Sequence, residues 1–526
     1  MGSVDRRVGG LAMAIFAGIA ALAGLVALPL ALASTSALFA LYVMATLAGV
    51  AVAVCRPVTG FFIYLGCIQV VDFLKRLLLA FGNPSPTEWF GTILLPDLIL
   101  AAVAITCFGG GSRRMAAPLA PRARLVAVCI SLYAGWYTVR SLWTAGPLVN
   151  AIGKWKLVVP YVLCFFLARY LVRTKEQFWK VLKLHAVFLT LAAVYGFWQV
   201  AFGLNSFEQR WLFEGYTALA PSSVLYAEGI PRAFSFYSDH AGYAYLLATV
   251  STLLLFSRRA VGVRFWNSVG VIVILLAALL STVTRSGWVF MAFGSVIYIA
   301  TIPKAKFLRV ALLIGSTALI VLAIDRLVVI GGTTGSDVIE RATTAGTYSD
   351  RLASFQNLVD YHVIENVWGR GVASIPGQAR DISGVGLRME FIIHDFMTES
   401  IYEVGWIGFG LFIAAIFLLF RVATPTFLGG FAPGMKAVIV GFVLVWLGSG
   451  AVPARSVLTL FWLCMGLLCS SDARQGASLS PAGAVRFPAG RPFPALVSAH
   501  GQAAPSTLPR AGIRGETPGR ARRQGA

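Results

Sequence analysis

Near the start of a long apolar run, His394 is followed by Asp395, Glu399 and Glu403, so that the three carboxylates recur every four residues. On a helix this spacing lays them along one face. His394 stands at the head of the acidic stripe. Carboxylates so close would orient the imidazole and favour its protonated form, which fits it to move protons near neutral pH. A histidine at a helix start also serves as a cap or a loop contact, and spacing alone leaves both roles open.

A second set of candidates is cationic. Arg76, Arg140, Lys154, Lys156, Arg232, Arg285 and Arg326 lie close to the ends of apolar runs. Ionisable groups at membrane depth are costly and normally face a partner or a water-filled cavity. Asp72 lies four residues before Arg76 and three before Lys75, so one helix face can pair them. Arg140, Lys154, Lys156, Arg232 and Arg285 have no evident acid nearby in sequence. Gathered around a cavity they would bind a polyanion, and the planar fork of arginine suits phosphate oxygens. The other outcome is pairing with carboxylates of the outer loops.

The elements that must position these groups are membrane helices. Of 526 residues, 58% are apolar and only 12% charged, about half the charged share of a soluble domain. Mean hydropathy is +0.78. A hydrocarbon core about 30 Å thick takes roughly 20 helical residues. Apolar runs predict spans at 8–32, 37–55, 58–80, 93–109, 124–144, 155–173, 180–202, 240–257, 264–283, 286–302, 307–329, 398–421, 432–449 and 455–470. The expected fold is therefore an all-α polytopic membrane protein of about 14 transmembrane helices (12–14), with residues 1–470 forming the membrane domain.

Arg6/Arg7, Arg56, the Arg113/Arg114/Arg122/Arg124 cluster, Arg169 to Lys183, Arg258/Arg259/Arg264, Lys304/Lys306/Arg309 and Arg421/Lys436 fall in alternate connections. This places them on one side, the cytoplasmic one, with both termini there. It also accounts for most of the formal charge of +21 without invoking nucleic acid. The cations of the second paragraph then sit at the outer ends of their spans. The N-terminus resembles a signal peptide, but its apolar run exceeds the usual length of about 7–15 residues, so an uncleaved first span is expected.

Two outer connections are long, 203–239 and 330–397, the second lying between helices 11 and 12. Their aromatic and acidic residues favour structure over disorder. Within the second, 350–365 carries Leu352, Phe355, Leu358, Val359 and Val363 on one helical face, the pattern of an amphipathic surface helix. A helix that only packs the loop against the bundle would show the same pattern. The tail, 471–526, is rich in Ala, Pro, Gly and Arg and is expected to be a disordered, basic cytoplasmic segment.

The seven cysteines lie in or beside apolar runs and form no CxxC pair, so neither a disulfide framework nor a zinc site is expected. P-loop, HExxH and GxSxG motifs are missing, and His240, His362 and His394 are too scattered for a metal site. No cofactor is predicted.

Three segments together resemble the O-antigen ligase and polysaccharide polymerase superfamily of bacterial inner-membrane proteins. The first is Pro231-Arg232-Ala233 running to Asp239-His240. The second is Ser281-Thr282-Val283-Thr284-Arg285-Ser286-Gly287, an outer link between two spans. The third begins at Ser349-Asp350-Arg351, passes through Trp368-Gly369-Arg370-Gly371, and ends at His394 with Glu403-Val404-Gly405-Trp406-Ile407-Gly408. The similarity covers roughly 225–415. It departs from the family at Val367, where Pro is frequent, at Phe234, where Gly is common, and at Asp395, where Asn often follows the histidine.

The resemblance implies metal-independent transfer of glycan from an undecaprenyl-diphosphate-linked oligosaccharide on the extracytoplasmic face of the inner membrane. The setting would be surface polysaccharide assembly: O-antigen, capsule or exopolysaccharide. It implies that Arg285 and Arg351 contact the diphosphate and that His394 serves the acceptor hydroxyl as base or positioning group. Arg232 joins the same cationic site, with Lys156, Arg140, Glu399 and Glu403 as further substrate contacts. Implied partners are the lipid-linked donor, a glycan or lipid acceptor, membrane lipids and a chain-length regulator, with no nucleic acid. A polymerase extending repeat units is the first expectation, a ligase moving finished glycan to a lipid or protein acceptor the second, and a lipid-linked-sugar flippase or transporter the third.

Overall fold

A computed structural model describes residues 37–81, 85–109, 119, 121–144, 148–213, 226–227, 230–262, 265–301, 367–372, 396–446 and 455–470. The first seven helices are α1 (Ala37–Cys55), α2 (Pro57–Phe81), α3 (Pro86–Gly109), α4 (Pro121–Leu142), α5 (Leu148–Leu171), α6 (Lys175–Phe202) and α7 (Ser206–Phe213). After a two-residue antiparallel pair, β1 (Tyr226–Ala227) and β2 (Ile230–Pro231), come α8 (His240–Val261), α9 (Phe265–Ser281) and α10 (Arg285–Ala300). The last three are α11 (Phe396–Phe420), α12 (Phe431–Trp446) and α13 (Arg455–Leu468).

Runs this apolar become helices because a helix satisfies its backbone polar groups within the segment, without water. Eight of the described helices, α1–α6, α8 and α11, hold stretches long and apolar enough to cross a membrane. The apolar stretches of α9, α10, α12 and α13 are shorter. The predicted spans 8–32 and 307–329, the surface helix 350–365 and the tail 471–526 lie outside the described residues.

Helix α8 is central, packing against α6, α9, α10 and α12. Helices α1, α2 and α3 form a second group, and α4, α5, α11 and α13 a third. Helices α5 and α13 approach closely, since a Cβ at Gly466 would overlap the Phe165 carbonyl oxygen. Small residues serve helix contacts in this way when lipid is the alternative neighbour. Outward faces are apolar too. Leu125, Val128, Leu132 and Val139 make an exposed stripe on α4, as do Val187, Leu191, Val194 and Trp198 on α6. Spacings of three, four and seven put each set on one side of its helix.

Helices α3 and α11 are irregular at the same end of the bundle, and α5 carries Pro160 in its interior. Helix α3 carries Pro96 in its interior. Helix α11 breaks at Gly405, whose φ of 69° lies in the left-handed region. Both irregularities free backbone carbonyls, and charged and polar groups collect there.

Candidate functional site

At the break in α11 the carbonyls of Tyr402, Glu403 and Val404 lose their helical partners. Each is satisfied from outside the helix. Arg370 N donates to Tyr402 O at 2.8 Å and Gly371 N to Glu403 O at 2.9 Å. The indole Nε1 of Trp136 on α4 donates to Val404 O at 2.7 Å. The segment 367–372 thus lies against the broken helix much as a strand would. The fit demands glycine: a Cβ at Gly405 would overlap the Val367 carbonyl, and one at Gly369 would overlap that of Glu403. At Gly371 it would come within 2.8 Å of Trp143 O. The Gly369-Arg370-Gly371 and Gly405 motifs of the sequence therefore meet in space.

The short half of α11 before the break carries Glu399 and Glu403, both nearly inaccessible to solvent. Lys154 of α5 binds both, donating to Glu403 Oε1 at 2.7 Å and also to Glu399 Oε1. Lys154 is thus paired with carboxylates, and these belong to a helix, not to a loop. Arg140, near the end of α4, donates from Nη2 to Gly369 O at 2.7 Å, and its own carbonyl accepts from Val372 N at 3.1 Å. Arg140 therefore fastens the glycine segment to α4.

Arg76 is fully buried, and its partner differs from the one spacing suggested. Nη1 lies 3.0 Å from Glu208 of α7, while Nη2 donates to the carbonyls of Ser235 and Tyr237. Asp72 pairs with Lys75, at 2.5 Å, the other cation that spacing offered it. Glu208 also accepts from Tyr195 Oη at 2.9 Å and Asn205 N at 3.0 Å. The first part of the 203–239 connection is thus folded onto α2 and α6. Residues 232–239 follow the same course, with Gln199 Oε1 accepting from Ser235 N at 2.8 Å.

Arg232 sits beside His240 at the head of α8, Nη1 lying 3.0 Å from Nε2. Guanidinium has only donors, so this contact requires an unprotonated Nε2, and the remaining ring proton is on Nδ1. Next to it, Ala233 N donates to Ser281 O at 3.1 Å and Tyr245 Oη bonds Ser286 Oγ at 2.9 Å. The 232–240 segment and the link around Arg285 are therefore neighbours. Arg285 is the first residue of α10, following the cap residue Thr284. Its side chain, like all of Arg351, His394 and Asp395, lies outside what the structure describes.

Around α3, Pro96 has no N–H to offer Thr92 O, and its ring pushes the preceding turn open. Tyr42 Oη reaches Thr92 O at 3.5 Å. Ile93 O accepts from Lys156 Nζ at 2.6 Å and from Arg455 Nη1 at 3.0 Å. Lys156 also lies 3.4 Å from Asp97 Oδ2.

Neither comparison with protein-family models nor comparison with curated proteins finds a match for this chain.

Arg455, Asp97 and Glu208 are site residues that the motif reading did not single out. Arg455 could have been found by applying the outer-cation criterion to the final span, which it opens. Asp97 and Glu208 gave no such signal, since their partners are distant in sequence. Among the described residues no three His, Cys, Asp or Glu side chains group as metal ligands.

Proposed function

We propose that this protein is a membrane glycosyltransferase. It would transfer or polymerise glycan from an undecaprenyl-diphosphate-linked donor at the extracytoplasmic end of a bundle of about 14 spans, with both termini cytoplasmic. The observation that carries this reading is the adjacency of two motif segments far apart in sequence. The backbone bond from Ala233 to Ser281 and the Tyr245–Ser286 bond bring the 232–240 segment against the link that leads into Arg285. Two arginines in neighbouring segments suit a diphosphate, whose leaving oxygen gains negative charge as the glycosidic bond breaks.

In the proposed reaction, the acceptor hydroxyl oxygen attacks the anomeric carbon. The bond from that carbon to the diphosphate oxygen breaks, and its electron pair leaves with the diphosphate. The hydroxyl proton passes to His394. A single displacement of this kind inverts the anomeric centre. Glu399 and Glu403 act in this scheme through Lys154, holding the half-helix that follows His394 in sequence, and Arg140 acts through the glycine segment. Polymerase and ligase reactions share these steps and differ in the acceptor.

The break in α11 favours a second reading, a lipid-linked-sugar transporter, because discontinuous spans build substrate sites in that class. One experiment separates the readings. Purified protein in liposomes receives lipid-linked repeat units, and products are analysed for length and attachment. Longer glycan on polyprenyl diphosphate indicates a polymerase, and glycan on a new acceptor a ligase. Movement across the bilayer without a new glycosidic bond would sink the enzyme reading. His394→Ala, Arg285→Ala and Arg232→Ala should each abolish transfer while membrane insertion persists.

A further inference from the structure

A second polar site lies between α1, α2, α3, α5 and α13, apart from the Lys154 pairings. Arg455 is its centre. The guanidinium carries five N–H donors, yet among the described residues it makes one hydrogen bond, to Ile93 O, although only 9% of the residue is exposed. The hydroxyl of Tyr161 is also buried without a hydrogen-bond partner among the described residues. Arg455 is close enough to interact electrostatically with Tyr161, Asp72, Asp97 and Tyr42. Lys156 has both Arg455 and Lys75 within electrostatic reach.

Among the described residues, cations outnumber carboxylates immediately around Arg455. Lys75, Lys156 and Arg455 are three cations, set against two carboxylates, Asp72 and Asp97. Among these five groups one positive charge remains, the next charges out being the Arg76–Glu208 pair and Asp239, which is within electrostatic reach of Asp72. An uncompensated charge at this depth calls for a counter-charge. The open guanidinium donors and the Tyr161 hydroxyl would suit a group with one negative charge and several acceptor oxygens.

We propose that this site binds the phosphodiester headgroup of an anionic phospholipid. A phosphodiester carries a single negative charge, which matches the excess, and its paired oxygens fit the fork of Arg455. Tyr161 would donate to a third acceptor. Asp97 is drawn toward Lys156, 3.4 Å away, which offsets its repulsion of the phosphate. The surroundings favour a lipid over a free anion. Asp72, Lys75, Asp97 and Lys156 all lie within apolar spans. Helices α1 and α3, which supply Tyr42 and the Ile93 carbonyl, also bear the exposed apolar side chains Leu41, Met44 and Leu94. Acyl chains can lie along these while the headgroup enters the polar site. The site uses none of the Arg232, Arg285 or His394 positions and does not depend on the proposed reaction.

The test uses the full chain, purified in detergent and stripped of lipid. Thermal unfolding and native mass spectrometry are followed as phosphatidylglycerol, phosphatidylcholine or inorganic phosphate is added. Phosphatidylglycerol should raise the unfolding temperature and remain bound at one copy, with phosphatidylcholine and inorganic phosphate doing neither. Arg455→Gln should weaken phosphatidylglycerol binding by about tenfold or more, as expected for loss of charge-assisted hydrogen bonds. Arg232→Gln should not weaken it, even where glycan transfer is lost. Tyr161→Phe, a gentler change, should weaken it by roughly threefold, through a single hydrogen bond. Equal responses to phosphatidylglycerol and phosphatidylcholine in the wild-type protein would overturn the proposal. So would an equal response to inorganic phosphate, or unaltered binding in Arg455→Gln and Tyr161→Phe.

Discussion

Lys154 on α5 binds Glu403 of α11 at 2.7 Å, two residues before α11 breaks at Gly405. The same ammonium also binds Glu399, one turn earlier on the same face. One cation is therefore shared by two carboxylates that are 3% and 2% exposed. Removing one partner from a buried ion cluster leaves the rest uncompensated, which costs more than the cluster contributes as a whole. Lys154→Met should lower stability by about 3–5 kcal/mol. The triple variant Lys154→Met, Glu399→Gln, Glu403→Gln should recover a substantial part of it. Thermal unfolding in detergent measures both, and a triple variant no more stable than Lys154→Met would refute the assignment.

The glycines at the break offer a steric test with an internal control. An alanine at Gly405 or Gly369 places its Cβ on a carbonyl oxygen of the facing segment, and both positions have positive φ. Each substitution should separate 367–372 from α11 and orphan the carbonyls that the segment satisfies, at a cost of several kcal/mol. Gly410, five residues on, has nothing within 4 Å of where a Cβ would stand. Gly410→Ala should be neutral or stabilise by up to about 1 kcal/mol through helix propensity. Comparable losses at 405 and 410 in unfolding measurements would contradict the docked segment.

How much of this could be read from sequence differs by residue. Twelve of the fourteen predicted apolar runs coincide with described helices, eight of them long and apolar enough to cross a membrane, because an uninterrupted apolar run announces a helix locally. The concentration of polar groups at one end of the spans was legible as well, since Lys154, Lys156 and Arg140 lie off the pattern of the other basic clusters. Their partners were not. Lys154 and Glu399 are separated by 245 residues, and Arg76 and Glu208 by 132. Spacing on one helix instead favoured Asp72 for Arg76, but burial of Glu208 beneath α2 brings a better-placed carboxylate. The glycine motifs were visible as motifs, while their reason is a contact between two chain segments that only the fold supplies.

Arg76 and Glu208 allow that difference to be measured. Both side chains are wholly inaccessible, whereas Asp72 and Lys75 retain 16% and 10% exposure. Glu208→Gln leaves a buried guanidinium short of its counter-charge and should cost about 3–5 kcal/mol. Asp72→Asn should cost distinctly less, because residual water screens the lysine that it leaves. The reverse order in thermal unfolding would restore Asp72 as the principal partner of Arg76.

Asp239 supplies the pH dependence. It lies in the connection before α8, and its Oδ1 accepts from Gly242 N at 2.6 Å, capping the helix. Burial pushes its carboxyl up to about 6, against the opposing effect of that hydrogen bond. A carboxyl whose folded value exceeds its unfolded value of about 3.9 binds its proton more tightly when folded. The stabilisation is therefore complete below about pH 4 and is lost as pH rises through about 6. Over that window the wild-type protein should lose on the order of 2–3 kcal/mol relative to Asp239→Asn. Asparagine keeps an oxygen for the Gly242 cap but has no charge to bury. The variant should thus be the more stable of the two at about pH 7, with the gap closing at about pH 4. Parallel unfolding curves at about pH 4, 5, 6 and 7 test this, and a gap independent of pH would show that the Asp239 carboxyl is not perturbed.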